Sequence, residues 1–158
     1  MEKKKNLSHV ELAEDATLKG KRVGIVTAEW NPEVTFSMRD AASGLLQRFN
    51  PDEILLAEVP GSFELINAAS RLLKECDGII LIGCVIQGET PHFTFISEAV
   101  ANAIAMMNLQ SEKPVIFGVL TTSTMEQALD RAGGKHGNKG TEAAAALVKM
   151  LNLKFRKE

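Results

Sequence analysis

Tyrosine is absent from this chain, and aromatic residues of any kind make up only 5% of it: seven Phe and one Trp. Alanine is abundant instead, which suits close helix packing. Cysteine is scarce as well. The two that occur, Cys76 and Cys84, make no disulfide framework. No apolar run approaches the ~20 residues that a membrane-spanning helix needs. No charge sign dominates either: 18 Lys and Arg stand against 20 Asp and Glu, for a net charge of −2 and a pI near 6.0. Such a balance calls for neither nucleic acid nor an anionic membrane as partner. The segment 6–19 lacks the apolar stretch of a signal peptide, so the cytoplasm is the expected location. Lys3-Lys4-Lys5 is a short basic run soon followed by Glu11, Glu14 and Asp15, and reads as a solvated tail.

What is present fits one domain with one core: 158 residues, 45% hydrophobic and 24% charged. Residues 1–20 carry no strong periodicity and read as a loose N-terminal arm; residues 21–158 read as the domain. Across the domain, strand-like and helix-like segments alternate. Short apolar runs at 22–27, 54–59, 78–86 and 114–120 predict four strands. The third is the most apolar, as expected of a central strand covered on both faces. Between them, apolar residues recur at helical spacing over 32–50, 62–75 and 90–108. Two further helices are expected near 123–132 and 138–151. This alternation predicts a three-layer α/β/α domain with a four-stranded parallel sheet and right-handed crossovers. In such sheets ligands bind outside the carboxyl ends of the strands.

Several residues at those ends bear chemistry. Asn31 before Pro32 suits a helix cap. Trp30, the only Trp, serves either the core or stacking on a flat heterocycle. Ser62 suits a cap, and Glu64 either complements a helix dipole or accepts hydrogen bonds from a polyhydroxylated ligand. Thr90 and Pro91 suit the opening of a helix whose free N–H groups would receive a phosphate. His92 would then stand in the first turn beside the anion, either as a structural histidine or as a proton carrier. Ser123 with Glu126 reads as a capping box. The segment 131–140 packs Arg131, Lys135 and Lys139 among four glycines. A helix C-cap explains Arg131 and Gly133, whereas a phosphate site explains the whole cluster. There is no G-x-G-x-x-G fingerprint, no P-loop, no acidic cluster for Mg²⁺, no metal-ligand spacing and no nucleophile elbow.

In order, these stretches resemble the lumazine synthase (6,7-dimethyl-8-ribityllumazine synthase) family over about 21–151. The resemblance is carried by Trp30-Asn31, Pro60-Gly61-Ser62-Phe63-Glu64-Leu65 and Gly83-Cys84-Val85-Ile86-Gln87-Gly88-Glu89-Thr90-Pro91-His92-Phe93. It continues through Phe117-Gly118-Val119-Leu120-Thr121-Thr122, Arg131-Ala132-Gly133 and Lys135-His136-Gly137-Asn138-Lys139-Gly140. It implies a flavodoxin-like fold and a transferase of riboflavin biosynthesis. Such an enzyme joins 5-amino-6-(D-ribitylamino)uracil to 3,4-dihydroxy-2-butanone 4-phosphate, with no metal or other cofactor. By the same resemblance Trp30 stacks on the pyrimidine, and Ser62, Phe63 and Glu64 bind the ribityl chain. Cys84, Val85 and Ile86 read the ring edge, Glu89 and Thr90 form the phosphate-side loop, and His92 transfers protons. Phe117 and Arg131 resemble residues lent by a neighbouring subunit, with Asn31 and Lys139 in support.

Trp30 stands where Phe is usual, Ile66 where Pro is frequent, Gln87 where Arg is frequent, and Cys84 where Ala or Thr is frequent. The resemblance also implies a homo-oligomer: a pentamer, and in many members an icosahedral shell that can enclose riboflavin synthase. Gly133 to Asn138 lacks the insertion that marks members remaining pentameric, which favours the shell. Competing readings are a catalytically dispensable cage around riboflavin synthase, an archaeal-type riboflavin synthase, and a receiver-like signalling module. The missing acidic cluster disfavours the last.

Overall fold

The computed structural model describes residues 10–158, so the Lys3-Lys4-Lys5 run lies outside the described residues. Four strands form one parallel sheet: β1 (Arg22–Ala28), β2 (Glu53–Val59), β3 (Gly78–Ile86) and β4 (Val115–Thr122). Helices α1 (Pro32–Gln47), α2 (Leu65–Leu72) and α3 (His92–Gln110) connect them. Helix α4 (Met125–Leu129), a two-stranded antiparallel ribbon of β5 (Ala132–Gly134) and β6 (Gly137–Asn138), and helix α5 (Lys139–Leu151) complete the chain. The sheet order is β2-β1-β3-β4. The three-layer α/β/α architecture expected from the alternation is the one found, and its strand order is flavodoxin-like, as the resemblance implies.

Alternation along the two central strands builds both outer layers. Val23, Ile25, Ile80 and Ile82 point to one face, where Val34, Met38, Ala42 and Leu46 of α1 meet Ala143, Ala144, Leu147 and Val148 of α5. Val26, Ala28, Ile79 and Leu81 point to the other, against Leu65 and Ala69 of α2 and Val100 and Ile104 of α3. Each fully buried Ile or Leu contributes about 1.5–3 kcal/mol by leaving water. β3 is buried from Gly78 to Cys84, in keeping with its continuous apolar sequence. Small residues bring α1 and α5 close together. A Cβ on Gly140 would overlap the Met38 carbonyl.

Three local expectations change. The end of the arm is anchored rather than loose. Leu18 is fully buried in the core, its N–H donates to the Phe49 carbonyl at 2.7 Å, and Thr17 and Asn152 exchange hydrogen bonds. The cap of α4 falls one residue later than Ser123: Thr124 Oγ1 accepts from the Gln127 N–H, and the Gln127 side chain accepts from the Ser123 N–H. The glycine-rich segment forms the β5–β6 ribbon, which two- and three-residue strands with no apolar alternation do not announce. Its far end is a true cap, because Asn138 Oδ1 accepts from the Gly140 N–H at the start of α5.

Candidate active site

The chain passes from β1 to β2 on one side and then from β2 back across to β3 on the other side of β1, so the carboxyl ends of β1 and β3 flank a topological switch point. A groove of about 410 Å³ opens there. Trp30 and Asn31 enter it from the end of β1, and Cys84, Val85 and Ile86 from the end of β3. Ser62, Phe63 and Glu64 come from a 3-10 turn before α2, and His92 and Ile96 from the first turns of α3.

The side chains divide by character. Trp30 and Phe63 are more than half exposed (64% and 56%), although they are large apolar rings. In a chain with so few aromatics, two bare rings on one groove mark a surface built to be covered. Ser62 is buried and Glu64 is exposed. Glu64 Oε2 accepts from the Gly61 N–H at 3.0 Å, which fixes its carboxylate at the groove wall. Cys84 is buried, and burial pushes its thiol up to about 11, so it stays neutral at physiological pH. His92 is the first residue of α3, exposed at the groove.

Three expected caps are absent here. Asn31 makes no cap hydrogen bond; it adopts the left-handed conformation (φ 59°, ψ 54°). Its side-chain Nδ2 instead donates to the Cys84 carbonyl at 3.0 Å. Thr90 does not cap α3 either. The residue before the helix is Pro91, which has no side-chain acceptor, so no side chain caps this 19-residue helix. Glu89 and Thr90 sit in the exposed loop before it, outside the lining of the groove. Nor does Ser62 cap a helix: the 3-10 turn has no side-chain cap from it, and its hydroxyl packs over Gly83.

Phe117, Arg131 and Lys139 lie elsewhere. They line a second groove of about 450 Å³ between β4 and α5, which shares no lining residue with the first. β4 is an edge strand, and Phe117 on it is 46% exposed. Arg131 is held by a bond from its Nη1 to the Gln127 carbonyl at 2.9 Å. Lys139 pairs with Glu142 at 2.7 Å and Lys135 with Asp130 at 2.8 Å. Among the described residues, Arg131 is thus the cation of the 131–140 cluster without an acidic partner. No group of three or more His, Cys, Asp and Glu among the described residues could hold a metal ion. No helix among them is long and apolar enough to cross a membrane.

A family model described as 6,7-dimethyl-8-ribityllumazine synthase matches residues 20–155. The chain belongs to this family. A relative bearing that name in Porphyromonas gingivalis is 47% identical over 152 residues, covering 94% of each chain. One in Cytophaga hutchinsonii is 50% identical over 151 residues, covering 93% of this chain and 94% of the relative. One in Parabacteroides distasonis is 47% identical over 135 residues, covering 83% and 84%. The chain is accordingly a transferase of riboflavin biosynthesis.

Within this lumazine synthase framework, sequence reasoning gave no role to two residues: Ile96 in the lining of the first groove, and Gly61, which lies against the Trp30 ring and outside that lining. Ile96 lies one turn after His92 on the same face of α3, a position that helical spacing could have flagged. Gly61, between Pro60 and Ser62, carries only the signal of a turn.

Proposed function

We propose that this chain condenses 5-amino-6-(D-ribitylamino)uracil with 3,4-dihydroxy-2-butanone 4-phosphate to 6,7-dimethyl-8-ribityllumazine, and that two copies build each pocket. The observation that carries the reading is the division of the site residues. The ring-stacking and ribityl-binding set occupies one groove, and Phe117 with the unpaired Arg131 occupies another. A second copy laying its β4–α5 groove over the first groove of its neighbour unites them.

In this reading the uracil ring stacks on Trp30 and is closed over by Phe117 of the neighbour. Glu64 and Ser62 take the ribityl hydroxyls. Main-chain groups of Cys84, Val85 and Ile86 meet the ring edge. The phosphate lies at the uncapped start of α3, where first-turn N–H groups and the helix dipole favour an anion. Glu89 and Thr90 flank it, and the neighbour's Arg131 and Lys139 bring positive charge.

The uracil amine adds to the ketone and loses water to give an imine. Phosphate then leaves by elimination, and the ribityl-bearing nitrogen closes the ring with loss of a further water. Holding both substrates in register supplies much of the rate. Fixed positive charge stabilises the departing phosphate. His92 carries the protons of the imine and elimination steps.

The exposed rings and the open β4 edge support a homo-oligomer. The short β5–β6 ribbon supports a pentamer that assembles further into an icosahedral shell, with riboflavin synthase as a possible enclosed partner. Both substrates are small and water-soluble, which supports a cytoplasmic location. The direct test mixes the purified protein with both substrates and follows lumazine absorbance; no product rejects the reaction. The shared pocket has its own test. Trp30→Ala and Arg131→Ala are purified separately, mixed one to one and allowed to exchange subunits. Random pairing restores about a quarter of the pockets, whereas a site within one chain restores none. Size-exclusion chromatography showing only pentamers would remove the shell.

A further inference from the structure

Gly61 lies in an extended conformation (φ −134°, ψ −179°) that any residue adopts, so the turn itself does not demand glycine. What excludes a side chain is the indole. A Cβ on Gly61 would stand 2.5 Å from Cε3 and 2.6 Å from Cζ3 of Trp30, far inside van der Waals contact, and 3.2 Å from Oε2 of Glu64. The six-membered ring of Trp30 thus rests directly on the bare Cα of Gly61. The loops that bring the two together are tied by their main chains. The Glu29 N–H donates to the Val59 carbonyl at 2.7 Å, and the Trp30 N–H to the Pro60 carbonyl at 3.0 Å. With both backbones fixed, the ring is the part able to move.

We propose that Gly61 is a positioning residue: it is the platform that holds the Trp30 indole at the angle needed to stack on the substrate ring. It acts on Glu64 as well, because its N–H holds the carboxylate while its missing side chain leaves the carboxylate room. One residue thereby sets the spacing between the ring-stacking surface and the group proposed for the ribityl chain. The inference rests on the assignment of Trp30 to the uracil pocket.

The test is Gly61→Ala in the assembled protein. Trp30 is the only Trp and there is no Tyr, so the intrinsic emission reports this ring alone. The extended backbone and the exposed ring allow the variant to fold, with the indole pushed off its seat. Expected are a shifted emission maximum, altered acrylamide quenching, and a KM for ribitylaminouracil raised about tenfold with kcat changed much less, the pattern of lost ground-state binding. Phe lacks the part of the indole that meets Gly61. Adding Gly61→Ala to a Trp30→Phe background should therefore raise KM less than about threefold, a non-additivity that direct contact requires.

Unchanged emission overturns the proposal, and so does an unchanged KM or an equal effect in both backgrounds. If Gly61→Ala fails to fold, recovery of folding in the Trp30→Phe double variant supports the contact, and failure to recover overturns it. The emission measurements need no substrate. An inactive parent protein would thus reject the proposed reaction while leaving the ring–glycine contact separately tested.

Discussion

Asn31 donates its side-chain amide to the main-chain carbonyl of Cys84 across 3.0 Å, tying the loop after β1 to the end of β3. The two strands pair only as far as Thr27 and Ile82, so this bond continues their connection past the ladder, at the mouth of the groove. Asn also tolerates the left-handed backbone that residue 31 adopts. Asn31→Ala should lose both the bond and the conformational ease, about 1–3 kcal/mol in urea unfolding. Asn31→Gly keeps the conformation and loses only the bond, so it should be the less destabilised of the two. Equal losses would show that the backbone conformation contributes nothing.

His92 is exposed and stands first in its helix, so its removal should leave the fold untouched. His92→Ala is expected to lower kcat by roughly 10²-fold, the usual contribution of a positioned acid–base group. Its thermal midpoint should match that of the parent. A near-normal rate would make His92 a bystander.

Arg131 is expected to bind the phosphate of the second substrate. Arg131→Ala should weaken that substrate by about 1.5–3 kcal/mol, read as a rise of roughly tenfold to a hundredfold in its KM. Arg131→Lys should recover part of the loss, since it keeps the charge and forfeits the fork. The KM for ribitylaminouracil should barely change in either variant. A rise confined to that substrate would move Arg131 out of the phosphate site.

Both thiols are pushed up to about 11 by burial, from an ordinary 9.0. The folded state therefore favours their neutral forms. Their contribution to stability is complete below about pH 9, where the unfolded chain also keeps them protonated, and is lost as pH rises through about 11. Thermal midpoints measured across that window should fall. The fall should be shallower in a Cys76→Ala, Cys84→Ala double variant, and identical slopes would remove the thiols as its cause.

The layered fold was legible because its strands state themselves. Gly78 to Ile86 is apolar without a break, and its short length and many β-branched residues mark that run as a strand covered on both faces. His92 was legible as a first-turn residue because Pro91 marks the helix start. Asn31 misled, because the residue type that caps helices is also the one that tolerates the left-handed conformation. Gly61 was silent, because a glycine after proline reads as a turn while its role here is to leave room for a ring from another loop. The separation of Phe117 from Trp30 depends on which strand lies at the sheet edge, and hydrophobic periodicity does not contain strand order.

The two unlike grooves on one chain carry a consequence for assembly when read as halves of a shared pocket. Unlike halves join head to tail. An open row of copies then ends with one groove unused at each end, so it holds one pocket fewer than it has chains. Closing the row into a ring matches those two ends and brings the number of pockets up to the number of chains. Selection for catalysis and selection for a closed ring then act on the same contact, and a substitution that merely opens the ring is felt as lost turnover.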